Sequence, residues 1–198
     1  MITTCLNAQS LKKVTKALKK VKNIEQLNEI KNKYPDWKIS VDKTLLSDST
    51  KFPDIVSAKI GNIVTKQYNP KAPKYALKIL SIEDEELCKV KYIYLDGTIY
   101  SKAEIDSIRS VIIKRYQEGE DFETLVKEYT MDGNPTGDLG WFYQGMMVDE
   151  FDKAVRNKLK DEVFTVDVEI KNWYYVVLKN HDNKIEKAVN GIKIKYSM

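Results

Sequence analysis

Apolar positions along the second half of the chain fall into short runs whose period switches between two and about 3.6, the signature of alternating strands and helices. Lys89-Val-Lys-Tyr-Ile-Tyr-Leu95 is rich in β-branched and aromatic residues and closes on the turn pair Asp96-Gly97, which predicts a strand. Ser101-Lys-Ala-Glu104 has the form of a capping box, and Ile105, Ile108, Ile112 and Tyr116 follow on one helical face. Gly119 ends that helix, and Asp121 opens another that carries Phe122, Leu125, Val126 and Tyr129. The Gly-Pro cluster Gly133-Asn-Pro-Thr-Gly137 is a loop. A short strand over 139–143, a short helix over 149–157 and strands over 163–170 and 173–178 complete a β-α-α-β-α-β-β order.

The first half echoes this order. Leu11, Val14, Leu18 and Val21 predict an amphipathic helix ringed by lysines. Ile24-Glu-Gln-Leu27 lines up with Phe122-Glu-Thr-Leu125, and Phe52-Pro-Asp-Ile-Val56 with Phe151-Asp-Lys-Ala-Val155. Ile63-Val-Thr65 matches Val163-Phe-Thr165, and Lys74-Tyr-Ala-Leu-Lys-Ile-Leu80 matches Trp173-Tyr-Tyr-Val-Val-Leu-Lys179. Offsets of 98 to 100 residues are what small loop insertions in a duplicated unit would leave. The first unit begins at its helix and lacks an opening strand. Asn190-Gly-Ile-Lys-Ile-Lys-Tyr196 alternates like a half-buried strand, and it is expected to pair into the sheet of the first unit and cover an edge.

Composition narrows the chemistry. The 198 residues are 42% hydrophobic and 31% charged, with net charge +4, two cysteines and one histidine. That length suits one large domain or two small ones. No apolar run reaches the ~18 residues that a membrane-spanning helix needs. A zinc site of two cysteines and two histidines, or of four cysteines, fails on count. A Ser-His-Asp triad would have to use His181, which sits in the polar stretch Asn180-His-Asp-Asn183 and reads as a loop residue. Neither a metal nor an organic cofactor is implied.

Lys12, Lys13, Lys16, Lys19, Lys20, Lys22, Lys31 and Lys33 crowd the first segment, tempered by Glu25 and Glu29. Without an Arg cluster or interleaved aromatic rings, a solvated helix face is preferred to a nucleic-acid patch, and no nucleic-acid partner is expected. Residues 1–9 end in Leu6-Asn-Ala8 before Gln9, a partial likeness to the tail of a secretory signal whose charged and long apolar parts are missing. Cys5 as a lipid-attachment residue fits poorly after Thr3-Thr4.

One string carries more information than the rest: Gly137-Asp-Leu-Gly-Trp-Phe142, then Gly145-Met-Met-Val-Asp-Glu-Phe151. With Asp121-Phe-Glu123 and Glu128-Tyr-Thr130 upstream, it resembles the parvulin-type peptidyl-prolyl cis-trans isomerases over about residues 90–179. The resemblance implies an α+β fold, an antiparallel four-stranded sheet flanked by helices. It implies an apolar socket for a proline ring at Leu139, Met147 and Phe151, with Trp141 in the same motif also assigned to substrate. Peptide rotation is slow because resonance raises its barrier to about 18–20 kcal/mol. A catalyst therefore needs an apolar socket and a poorly solvated place for the twisting carbonyl, not a nucleophile.

The chain departs from the family where two histidines commonly face each other: Tyr92 and Tyr175 stand there, and they do not titrate near neutral pH. The family's Cys or Asp beside the pocket corresponds to Asp132, which could alternatively cap its own loop next to Gly133. Tyr92, Tyr175 and Asp132 are thus the expected catalytic set. Only Lys102 stands after the first strand where phospho-specific members carry a basic cluster, so no phosphorylated substrate is expected.

The domain reading is an export-signal remnant at 1–9 and a degenerate parvulin-like domain at 10–86. An isomerase domain follows at 87–182, then a strand extension at 183–198 that could complete the first domain. The first domain lacks the Gly-Asp-x-Gly-Trp string, with Trp37 to Asp42 and Thr44 to Ser47 in its place, so it reads as inactive and used for packing, homodimerisation or client binding. The leading functional expectation is a peptidyl-prolyl isomerase and foldase acting on proline-containing, unfolded or extended exported polypeptides. Its place would be the periplasm or cell envelope, with the cytoplasm as the alternative. The second reading is a non-catalytic parvulin-like chaperone or scaffold, and a third uses the lysine-rich helix to bind nucleic acid.

Overall fold

Ile192, Ile194 and Tyr196, the apolar half of the C-terminal alternation, are buried, and the strand that carries them belongs to the first of two units. A computed structural model describes residues 11–48, 50–67 and 74–196. The first unit comprises Met1–Glu85 with Glu186–Met198, and the second comprises Glu86–Ile185. The partial signal-like stretch at 1–9, Cys5 included, lies outside the described residues.

In the first unit, α1 (Leu11–Lys19) buries Val14, Ala17 and Leu18 and leaves Lys12, Lys13, Lys16 and Lys19 exposed, as its apolar spacing requires. A 3₁₀ turn, Ile24–Gln26, follows Asn23, whose side chain accepts from the Gln26 N–H, and leads into α2 (Leu27–Lys33). The strands are β1 (Lys38–Leu45), β2 (Ile63–Gln67), the first part of β3 (Lys74–Asp96) and β7 (Lys184–Tyr196). Their order is β1-β7-β3-β2. β1 meets β7 antiparallel from Lys38 opposite Lys195 to Leu45 opposite Ala188. Val14, Leu18, Trp37, Ile192 and Ile194 form a core on one face. Phe52, Ile55, Leu77, Ile79 and Val189 form another, capped by a 3₁₀ turn at Pro53–Ser57. At Gly191 a Cβ would stand 2.1 Å from the Lys78 carbonyl oxygen, so only glycine lets β7 approach β3 there.

The second unit is built from the rest of β3, α3 (Lys102–Gln117), α4 (Phe122–Tyr129), β4 (Asp138–Tyr143), α5 (Asp149–Arg156), β5 (Val163–Val168) and β6 (Trp173–Leu178). Its strands run β4-β3-β6-β5, all antiparallel neighbours. This is the α+β architecture the resemblance implies. The Ser101–Glu104 capping box forms with both of its hydrogen bonds, and the Asp121 side chain caps α4 by accepting from the Thr124 N–H at 3.0 Å. Ile93, Leu95, Ile105, Ile112, Phe122 and Leu125 fill the face under α3 and α4. Cys88, Val90, Phe142, Phe151, Val155 and Val177 fill the other.

The strand expected over 163–170 stops at Val168. Glu169–Lys171 is a 3₁₀ turn, because Asn172 takes a left-handed backbone (φ 55°) that turns the chain into β6 and leaves Ile170 exposed. The two hairpins share a register displaced by 100 residues: Ile63 faces Lys78, and Val163 faces Leu178.

Candidate functional site

Three loops deliver the site to one face of the second unit's strands. The first is 130–137, between α4 and β4. Gly137 has φ +62°, its carbonyl accepts the Tyr92 N–H at 2.9 Å, and a Cβ there would lie 2.3 Å from the Tyr92 carbonyl oxygen. Any other residue would push β4 away from β3. The second segment is 144–148, tied down by Asp152, whose carboxylate accepts from the Gly145 N–H at 3.0 Å and meets Arg156 at 2.9 Å. The third is the turn into β6, which places Trp173 and Tyr175 on one face at a spacing of two.

These segments enclose a cavity of about 250 Å³. Leu139, Met146, Met147, Val148 and Phe151 make one wall, and Trp173, Tyr175, Tyr92 and Asp132 make the rest. The Tyr175 ring stands edge-on to Phe151 at 5.1 Å and to Tyr92 at 5.9 Å, and tilts against Tyr94 at 5.5 Å. Quadrupolar edge-to-face contacts of this kind fix ring orientation.

The polar side of the cavity is a small hydrogen-bonded cluster. The Tyr92 hydroxyl donates to Asp132 Oδ2 at 2.6 Å. The other carboxylate oxygen, Oδ1, accepts from Thr130 Oγ1 and from the Asn134 N–H, each at 3.1 Å. Thr130 Oγ1 in turn accepts from the Tyr94 N–H at 3.2 Å, and Asn134 Nδ2 donates to the Asp138 carbonyl at 3.1 Å. Asp132 therefore caps its loop and reaches the cavity at once. Burial, reinforced by the Asp132 carboxylate, pushes the Tyr92 hydroxyl up to about 12. Burial likewise raises Tyr175, with the negative charge that Tyr94, Tyr92 and Asp132 can carry adding to it. Both hydroxyls stay protonated across the physiological range.

Six of the seven site residues expected from the sequence meet at this cavity: Tyr92, Tyr175, Asp132, Leu139, Met147 and Phe151. Trp141 is not among the lining residues. The β3–β4 register slips between Lys89 and Lys91, and this bulge breaks the two-residue alternation. Leu139 and Phe142 share the face of the site's core, and the Trp141 ring instead meets His181 edge-on at 5.5 Å with Lys184 Nζ 4.3 Å from its centre. Met146, Val148 and Trp173 were not anticipated, although the Trp173–Tyr175 spacing carried the signal for one of them. Lys102 begins α3 and pairs with Asp106 at 2.5 Å and Asp167 at 3.3 Å, and His181 is exposed. Among the described residues no cluster of three or more His, Cys, Asp or Glu is arranged to hold a metal ion. What the cavity offers is an apolar socket with one hydroxyl–carboxylate pair at its edge, which suits binding and distortion of a substrate rather than attack on it.

An apolar socket on an antiparallel sheet flanked by helices is the arrangement that the resemblance to parvulin-type isomerases implies. The profile described as PPIC-type PPIASE domain matches residues 75–183, over half of the chain, and the chain belongs to this parvulin-type family of peptidyl-prolyl isomerases. The foldase protein PrsA of Geobacillus kaustophilus is 41% identical over 83 residues, which are 40% of this chain and 28% of that protein. PrsA of Halalkalibacterium halodurans is 32% identical over 117 residues, 53% of this chain and 34% of that protein. The chain thus matches about a third or less of the length of these relatives. Among solved structures, the chain is similar to the parvulin domain of PpiD from E. coli, with a TM-score of 0.39 and 18% identity over 52% of this chain and 92% of that one. For peptidylprolyl isomerase PrsA from Bacillus anthracis the TM-score is 0.40 and the identity 23%, over 50% of this chain and 44% of that one. No helix among the described residues is long and apolar enough to cross a membrane.

Proposed function

We propose that the second unit accelerates cis–trans exchange at unphosphorylated Xaa-Pro bonds in extended polypeptides, and that the protein acts as a foldase. The observation that carries this reading is the 250 Å³ cavity, with an apolar wall on one side and the Tyr92–Asp132 pair on the other. The pyrrolidine ring packs against Leu139, Met147 and Phe151, with Met146, Val148 and Trp173 narrowing the entrance. Held there, the prolyl amide loses solvent around its carbonyl and is bound better twisted than planar, which lowers the barrier. Asp132 supplies negative charge beside the carbonyl carbon, and Tyr92 and Tyr175 hold that side of the socket in shape.

Proline-containing clients in an exported, partly unfolded state suit this site, and a place in the cell envelope, the periplasm included, goes with that reading. The first unit, completed by the C-terminal strand, serves as a degenerate and inactive counterpart for packing, homodimerisation or client contact. One observation favours the second reading, a peptide-binding chaperone or scaffold without turnover: tyrosines occupy the positions of the paired histidines, and the Tyr92 hydroxyl is already committed to Asp132.

A protease-coupled assay on a panel of unphosphorylated Xaa-Pro peptides decides between the two. A thousandfold acceleration corresponds to roughly 4 kcal/mol of barrier lowering. Binding of the same peptides with no acceleration would leave the scaffold reading standing and end the enzymatic one.

A further inference from the structure

The first unit holds two adjoining hollows whose chemistry is the reverse of the aromatic cavity. Asp42, Lys51, Phe52, Lys66, Tyr75 and Lys193 surround one of about 210 Å³. Lys38, Ser40 and Lys195 join Tyr75 and Lys193 around one of about 360 Å³. Because Tyr75 and Lys193 line both, the hollows share a wall. The strand registers account for the composition: Lys38 lies opposite Lys195, Ser40 opposite Lys193, and Lys66 opposite Tyr75. Among the described residues, five lysines therefore face a cleft with one lining acid, Asp42, which pairs with Lys193. Like charges directly across a strand pair, as at Lys38 and Lys195, are destabilising by themselves and are relieved by an anion laid over them.

The charge is a property of the whole unit. The first unit contains 19 lysines, no arginine and 10 acidic residues, a net of +9. The second contains 14 basic and 19 acidic residues, a net of −5, and together they make the +4 of the chain.

We propose that this cleft binds an acidic, extended polypeptide segment, its carboxylates meeting Lys66, Lys193 and Lys195 and its stem lying on Tyr75. Complementary charge selects the sign of the partner. On β7 the cationic positions Lys193 and Lys195 stand two residues apart, about 6.6–6.8 Å, the spacing at which an extended peptide presents side chains to one face. Nucleic acid is disfavoured by Asp42 in the wall and by the absence of arginine forks. The proposal does not depend on turnover in the second unit.

The test uses the full chain and fluorescein-labelled, proline-free 12-residue peptides, one alternating Glu and Thr, the other Gln and Thr. Anisotropy should show the Glu peptide bound at least tenfold more tightly at low salt, the advantage shrinking as salt rises. Lys66→Gln with Lys195→Gln should cost about tenfold in affinity. Lys12→Gln with Lys16→Gln on α1 should cost nothing. If the first pair fails to fold by circular dichroism, Lys38→Gln with Lys51→Gln at exposed positions replaces it. Equal affinity for the two peptides, or equal losses from the α1 pair, would overturn the proposal. So would a single-stranded oligonucleotide that binds more tightly than the Glu peptide through the same lysines. A dimer seen by sedimentation that the Glu peptide does not dissociate would assign the cleft to a second copy instead.

Discussion

Each unit presents a hollow beside a hairpin, β2–β3 in the first and β5–β6 in the second, yet one hollow is lined with lysine and the other is apolar and aromatic. In each, a tyrosine at the start of an inner strand faces the hollow: Tyr75 opposite Lys66 in the first unit, Tyr175 opposite Val166 in the second. In each, a phenylalanine forms part of the wall: Phe52, just before the 3₁₀ turn Pro53–Ser57, and Phe151, within α5. The difference comes from the residues between these fixed points. The glycine turn that brings β4 against β3 has no counterpart in β1, and Lys66 stands where Val166 stands. The comparison teaches that the hairpin register sets where a hollow forms and a handful of side chains decides what enters it.

The strongest way to break the comparison is to remove the strand that completes the first unit. β7 buries Ala188, Val189, Ile192, Ile194 and Tyr196. At about 1.5–3 kcal/mol for each large side chain, this rivals the 5–15 kcal/mol that typically holds a domain together. Truncation after residue 185 should therefore strip amide-exchange protection from 11–85 while 86–178 keeps most of its own. Fraying confined to β1 would contradict the account.

Phe151→Ala ranks next. The ring is buried and serves both the core and the cavity, so a loss of about 3–5 kcal/mol is expected, read by denaturant unfolding, together with loss of prolyl-peptide binding. Phe52→Ala should cost stability without touching prolyl-peptide affinity; an equal loss of affinity would erase the distinction between the hollows.

A smaller effect follows from Tyr92→Phe. Removing a hydroxyl that donates to a carboxylate should cost about 1.5–3 kcal/mol. Because the hydroxyl is held at about 12, above the ordinary tyrosine value of 10, its contribution is complete below pH 10 and disappears as the pH rises through 12. The variant should lack that alkaline loss, visible as a flatter melting temperature between pH 9 and 11. Activity of the unaltered protein should be nearly level from pH 6 to 9, since no histidine lines the cavity; a sigmoid centred near 6.5 would point to a different titrating group.

Much of the second unit was legible because its signals are local. The Ser101–Glu104 capping box, the Asp121 cap and the Gly133–Gly137 loop each depend on residues within a few positions of one another, and each forms. The site was legible through one string of residues, except at Trp141, where the bulge reverses the face that strict alternation assigns. Long-range features left no such trace. Arg109 is buried on α3 because its guanidinium meets Asp167 at 2.6 Å and the Val166 carbonyl at 2.7 Å, 58 and 57 residues away. Lys179 is fully buried with its ammonium on the Val155 carbonyl and Asn183, a pairing that charge patterning alone would place in solvent. β3 runs unbroken from Lys74 to Asp96 through the acidic stretch Glu83-Asp-Glu-Glu86. There Lys43 and Lys187 pair with Glu85 and Asp84, partners contributed by distant strands.

The central claim is that the aromatic cavity turns over Xaa-Pro bonds with tyrosines in place of paired histidines. Exchange NMR tests it most directly, with an unphosphorylated Ala-Pro peptide added to isotopically labelled protein, because it reads the peptide's cis–trans rate and the residues that respond in one sample. The account predicts accelerated exchange together with shifts at Leu139, Met147 and Tyr175, both lost in Met147→Ala. Shifts at those residues with exchange no faster than in free peptide would contradict it.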